Sequence, residues 1–424
     1  MGTPTARRVS AEPQRRLAIP GTNVSLTRRQ LILGAAGVAA VAAAAVGSSI
    51  AEDHEAEEEN ANVLEVAADQ VVTLDEFETL DAADCMEQIA ELALPFHSLV
   101  WAGPGNLAVC LTPTKTSSPI TKVGLVDLSA SELELVTVLE GPVSIDARGY
   151  DILDVRCSDS GIVWVEANSY SGRWNVYHAT LSGTSMGEPT LAEQGDREFD
   201  IPSVAAVGNR AFWQVLPISS TINPPDSVLK SAEFGSEDSV MALSSRGRMC
   251  TRPYAATEGV VVTPRADSSS VHYKLTLVND TTFDVLDELT MPSAMAPLEA
   301  AYVGGRFSFA FDAIYDYGDG LSSLGTYAPI SKGNSTKNAT WFLFGRNPSA
   351  APAWSGDWLI VKSTRSVSGV NLEDRTMFAL DCPSHCDTFG DYLASSGTCD
   401  RIATYVHIST NDQEYTLLRT WRPL

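Results

Sequence analysis

Seven short runs of similar composition recur along the chain at nearly even spacing, and no other feature constrains the fold as tightly. They are Asn106-Leu-Ala-Val-Cys-Leu-Thr, Gly161-Ile-Val-Trp-Val-Glu-Ala, Arg210-Ala-Phe-Trp-Gln-Val-Leu, Gly259-Val-Val-Val-Thr-Pro-Arg, Arg306-Phe-Ser-Phe-Ala-Phe-Asp, Asp357-Trp-Leu-Ile-Val-Lys-Ser and Arg401-Ile-Ala-Thr-Tyr-Val-His. Their starts are separated by 55, 49, 49, 47, 51 and 44 residues. Each is rich in β-branched and aromatic residues and lies between Gly, Ser, Asp, Asn or Pro clusters, as strands between turns do. Most are followed by a second short run, as at residues 123–128, 175–181, 239–243, 272–277, 375–380 and 414–419. Several units add a third, at 134–139, 283–286 and 340–344, and a run precedes the motif at 200–207 and 298–303.

Four strands in roughly 45–55 residues is the content of one propeller blade. A lone four-stranded unit cannot bury both of its faces, whereas stacked units can. The expected fold is therefore all-β, a β-propeller of about seven four-stranded blades, with six or eight as neighbouring counts. Stacked β-sandwiches and other all-β folds are the alternatives. The expected division is a signal segment over 1–51, an acidic linker and N-terminal shoulder over 52–95, and the propeller over 96–424. Within the shoulder a strand is expected at 70–74. A helix is expected over 81–94, because Ala83, Met86, Ile89, Ala90 and Leu94 fall near one helical face before Pro95. A strand near 62–74 could complete the last unit across the chain ends.

The turn Ser158-Asp159-Ser160-Gly161, the strand around Trp164 and the following Val176-Tyr177 resemble the WD40-like and TolB-type propeller repeats of exported bacterial proteins. The Ser-Pro-Asp-Gly turn usual in those repeats is missing throughout.

The N-terminus has a separate character. Thr27-Arg28-Arg29-Gln30-Leu31-Ile32 follows a polar, basic segment and precedes an apolar run to about Ile50, rich in alanine, glycine and valine. This layout resembles a twin-arginine signal: Arg28 and Arg29 match the paired arginines, and Leu31 and Ile32 match the apolar positions after them. The resemblance implies export through the twin-arginine translocase, to the cell envelope or the exterior. Ser49-Ile50-Ala51 suits a signal peptidase cutting after Ala51. The apolar run would alternatively form a signal helix that stays as a single N-terminal membrane anchor.

The formal charge is -24 at pH 7. Such a surface repels phosphate backbones, which argues against a nucleic-acid partner. Of seven cysteines, Cys382, Cys386 and Cys399 cluster with His385, a set suited to a disulfide or a metal. Asp312, Asp316 and Asp319 share a glycine-bearing loop that could hold calcium or face a ligand, but no cofactor is required by any motif. Regularly spaced aromatics (Trp101, Trp164, Trp213, Phe307, Phe309, Trp341, Trp358 and Tyr405) suit packing between sheets. Trp174, Tyr315 and Tyr317 fall in loop-like stretches suited to surface recognition.

No Gly-x-Ser-x-Gly elbow, His-Glu-x-x-His or phosphate-binding loop is present. The leading expectation is thus a non-enzymatic binding or scaffold protein of the cell envelope, with an unidentified protein, peptide or glycan ligand. It requires that no acid–base group converge at the mouth of the ring. The alternatives are a secreted carboxylate-dependent hydrolase or lyase with its site at that mouth, and a metal- or cofactor-containing redox protein.

Overall fold

A strand can be apolar along its whole length only if both of its faces are covered. Gly161–Asn168 meets this condition, since all eight of its residues are buried. Alternation then divides its side chains between two cores. Ile162 and Trp164 pack with Leu107, Val109 and Leu125 of the sheet before. Val163, Val165 and Ala167 pack with Val204, Ala211 and Trp213 of the sheet after. The division repeats downstream. Phe212 joins Val260 and Val262, while Val261 turns to Tyr302 and Phe307.

The computed structural model describes residues 17–18, 25–26, 64, 71–73, 76–116, 119–144, 149–218, 226–266, 272–291, 296–311, 325–327, 330–331, 341–344 and 350–424. Four of its sheets have four strands. The first joins Leu99–Ala102, Leu107–Pro113, Thr121–Asp127 and Val136–Leu139 in sequence order. The next, of five strands, is built around Tyr150–Cys157, Gly161–Asn168 and Arg173–Ser182. Four-stranded meanders then begin at Val204–Val207 and at Tyr254–Ala256. Pro297–Val303 opens a three-stranded sheet, and Ala353–Ser355 lies in a six-stranded one. The last sheet runs Tyr392–Leu393, Ile402–Ser409, Glu414–Pro423 and then back to Met86–Leu94.

The expected closed propeller of about seven like blades is corrected by these sheets. They are open, and their strand numbers differ from three to six. The unit starting at Arg306 splits, because Trp341–Phe344 leaves it to pair with Gly325–Tyr327 and, in parallel, with Val71–Thr73. The six-stranded sheet recruits Gly397–Thr398 and Glu78–Thr79 as parallel edges. Even spacing of apolar runs records that strands recur. It does not record which distant segment takes a free edge. The resemblance to WD40-like and TolB-type repeats is set aside with the propeller.

The N-terminal shoulder is corrected too. Among its described residues helix is confined to Ala82–Cys85, capped by the Asp81 side chain, which accepts from the Ala83 amide at 3.0 Å. The remainder, Met86–Leu94, is a strand lying along Glu414–Pro423, with Met86 opposite Pro423 and Leu94 opposite Thr416. A partner more than 300 residues away satisfies its backbone, which local helical spacing could not reveal. The strand that completes the last sheet is therefore this one, and not Val71–Thr73.

Arg28, Arg29, Leu31 and Ala51 lie outside the described residues, so the export signal and its translocase partner rest on sequence alone. Near them, Leu17–Ala18 pairs antiparallel with Ser25–Leu26, and the expected signal helix is not among the described elements. Among the described residues no helix is long and apolar enough to cross a membrane. No described helix supports the expected single N-terminal anchor, and no described element supports the exported, envelope location.

Trp164 is fully buried, stacks on Tyr177 at 5.6 Å between ring centres and donates from Nε1 to Glu166 Oε1 at 2.9 Å. Trp164→Ala should lower unfolding free energy by about 3–5 kcal/mol, because neighbouring sheets cannot close over an indole-sized void. Urea denaturation checks this. A loss below about 1 kcal/mol would mean that the two sheets do not share this core.

Candidate active site

The first strands of successive sheets converge on one cavity of about 280 Å³. Its wall is drawn from Leu99–Ala102, Tyr150–Cys157, Val204–Val207, Tyr254–Ala256, Pro297–Val303 and Tyr392–Leu393. Small residues such as Ala102, Gly103, Ala205, Ala255, Ala351 and Ala394 keep the middle open. Among them stand four polar side chains with chemistry to offer: Arg156, Arg252, Tyr254 and Glu299.

Two β-bulges aim the charges. The register shifts between Ile152 and Asp154, and again between Pro297 and Glu299. An extra residue in one strand turns the side chains beyond it, a device common beside active sites. Asp154 and Arg156 follow the first bulge and form an ion pair at 2.5 Å. The Arg156 guanidinium also lies 4.4 Å from the Trp101 ring centre. Burial pushes the Arg156 pKa down, and Asp154 opposes that shift.

Glu299 follows the second bulge. The Tyr254 hydroxyl donates a hydrogen bond to its Oε2. Burial is the largest influence on this carboxyl and raises it from 4.5 to about 7, against the opposing pull of Arg252 and Arg156. Arg252 is exposed, and among the described residues it has no carboxylate within ion-pair distance. Across the cavity the rings of Tyr392 and Tyr405 stack at 5.0 Å. The Tyr405 phenol is pushed up, by burial first and by Tyr392 second.

Other buried carboxylates are committed elsewhere. Glu166 accepts from the Val143 and Ser144 amides and from Trp164 at 2.6–2.9 Å, which locks it into the fold. Asp391, raised to about 6 chiefly by burial, is held by Arg419 at 2.5 Å. Among the described residues, Glu299 alone combines a cavity position, a near-neutral pKa and a neutral hydrogen-bond partner. Cys157 also lines the cavity, but burial pushes its thiol up and away from nucleophilic character.

Asp312, Asp316 and Asp319 lie outside the described residues, as do Tyr315 and Tyr317, so the loop expected to hold calcium has no described geometry. Among the described residues no group of three or more His, Cys, Asp or Glu side chains is placed to hold a metal ion. Among the described residues no disulfide is formed, and Cys382, Cys386 and Cys399 are thiols, which corrects the expected disulfide. Cys382 and Cys386 come within 3.2 Å, Sγ to Sγ, as hydrogen-bonded thiols. Cys399 is buried apart from them, its Sγ directed to the Ser396 carbonyl at 3.4 Å. Trp174, expected at a recognition surface, is buried among Val176, Val204 and Trp213.

Sequence reasoning passed over Arg156, Arg252, Tyr254 and Glu299. A signal was present. Arg156 and Glu299 lie in the first strands of their units, Tyr254 opens another and Arg252 stands two residues before it; of these, Glu299 is a lone charge interrupting an apolar run, Pro-Leu-Glu-Ala-Ala-Tyr-Val.

No known family pattern matches the sequence, and no curated protein matches it. Among solved structures, the chain is similar to one of a pair of prolyl endopeptidases, with 12% identity and a TM-score of 0.48 over 97% of this chain and 56% of that one. Prolyl oligopeptidase B of Galerina marginata gives 8% and 0.47, over 77% and 52%. An oligogalacturonate lyase in complex with manganese gives 10% and 0.45, over 79% and 97%. The chain thus spans about half the length of the two peptidases.

The non-enzymatic scaffold expectation required a cavity mouth without convergent acid–base groups. Glu299, Tyr254, Arg252 and Arg156 overturn it.

The raised carboxyl has a consequence for stability. Its folded pKa lies above its ordinary value, so its contribution is complete below pH 4.5 and is lost as pH rises through about 7. Relative to Glu299→Gln, which cannot titrate, the native chain should lose about 1–3 kcal/mol between these limits and then level off. Urea midpoints of both proteins across pH 4–9 check this. A difference that stays flat would show that Glu299 is solvated.

Proposed function

We propose that the protein is a carboxylate-dependent hydrolase or lyase whose site is the cavity ringed by the first strands, with Glu299 as its acid–base group. The observation that carries this reading is the carboxyl raised to about 7 in a cavity wall. A group that titrates near neutrality can take a proton and return it within one turnover. In a hydrolase, Glu299 would deprotonate the attacking water. In a lyase, it would remove a proton from carbon beside an electron-withdrawing group. The two readings share every residue named, and either needs an oxyanion or a carbanion stabilised.

Tyr254 orients the carboxyl through its hydroxyl, and in this reading the same phenol would pass a proton to the leaving group. Arg252 supplies positive potential where negative charge develops, and the Arg156–Asp154 pair adds an oriented dipole beside it. Ion pairing with Asp154 and stacking on Trp101 fix Arg156 in place. Such preorganised charge is worth more in a partly desolvated cavity than in water.

The test is a panel of peptide amides, esters and uronide-containing oligosaccharides assayed with the purified full-length chain. Turnover should fall at least 100-fold in Glu299→Gln and follow a bell-shaped pH profile with one limb near 7. Tyr254→Phe should lower kcat more modestly, by about tenfold, and shift that limb. Turnover that survives Glu299→Gln unchanged, or a panel that yields none, would refute the assignment.

A further inference from the structure

We infer that the cavity selects substrates bearing a carboxylate, with Arg252 as the residue that captures it and Arg156 as its fixed neighbour. This rests on the catalytic reading of the same cavity and narrows it to a substrate class. The argument begins from charge. The chain as a whole carries -24, so a cationic concavity is not a consequence of composition. The cavity nevertheless gathers two guanidinium groups and one carboxyl. Arg156 is neutralised by Asp154. Arg252 has no such partner among the described residues and is near enough to lower Arg156 and Glu299 alike. Glu299 spends its hydrogen bond on the Tyr254 phenol rather than on either arginine. Of the two guanidinium groups at the cavity, that of Arg252 therefore has no ion-pair partner among the described residues.

A guanidinium offers a planar fork of N–H donors, which matches a carboxylate and can bind it through two parallel hydrogen bonds. A neutral ligand would gain weaker, uncharged hydrogen bonds from that fork than a carboxylate would. The aromatic wall of Tyr254, Tyr392 and Tyr405 gives the organic part of the ligand a flat, partly apolar surface. Arg252 and Glu299 line the same cavity, so a ligand held through its carboxylate on Arg252 would share that space with the acid–base group.

The probe is glutarate, compared with its uncharged diamide, titrated into the full-length chain by calorimetry at low ionic strength. Glutarate should bind and the diamide should not. Arg252→Gln should weaken glutarate at least tenfold, and Arg252→Lys should restore part of that loss, because charge returns without the fork. The Arg252 side chain is exposed, and thermal melts of each variant check that folding is intact. Glu299→Gln should retain glutarate binding while losing turnover. Glutarate that fails to bind, binds no better than the diamide, or binds equally to Arg252→Gln would overturn the substrate class and leave the role of Glu299 standing. Turnover surviving in Glu299→Gln would sink the catalytic reading alone.

Discussion

Apolar contact between neighbouring sheets is the constraint on which this structure depends. Strands such as Gly161–Asn168 carry apolar side chains on both faces, so each sheet needs a neighbour on either side. Seven buried clusters meet this need, and each takes residues from two sheets. Trp164 and Val165 are adjacent in sequence yet belong to different clusters. Loss of one large side chain therefore weakens a junction between sheets rather than one sheet.

The same packing creates the cavity. Sheets stacked in order bring their first strands together, and small residues at Ala102, Ala205, Ala255 and Ala394 leave space between them. Bulges at residues 152–154 and 297–299 then turn Arg156 and Glu299 into that space. Rigid strands hold them, which suits charged groups that must keep their relative positions. Half-burial makes Glu299 chemically useful. Full solvation would return it to the ordinary carboxyl range, and a direct ion pair of the Asp391–Arg419 kind would commit it to structure.

Charge at two scales separates the surface from the site. The acidic exterior favours solubility and repels polyanions. The Arg252 guanidinium at the cavity acts only at close range, because salt screens charges beyond about 8–10 Å. An organic acid can thus be repelled weakly from the outside and still be held firmly within.

The amino-acid sequence by itself determined that this chain forms strands, roughly where they lie, and that their apolar side chains alternate between two faces. Runs such as Arg210–Val215 and Ile402–Ser409 are legible because alternation and turn residues are local properties. Only the tertiary structure decided that Met86–Leu94 is a strand on the C-terminal edge and that Trp341–Phe344 leaves its own unit. It also decided that Trp174 is core and that Arg156, Arg252 and Glu299 share a cavity. Strand edges are satisfied by whichever backbone arrives, and a site on converging strands draws its residues from positions about 50 to 140 apart in the chain. Neither the distance between two charges nor the dielectric around a carboxyl is written in local sequence. Both follow from which faces come together.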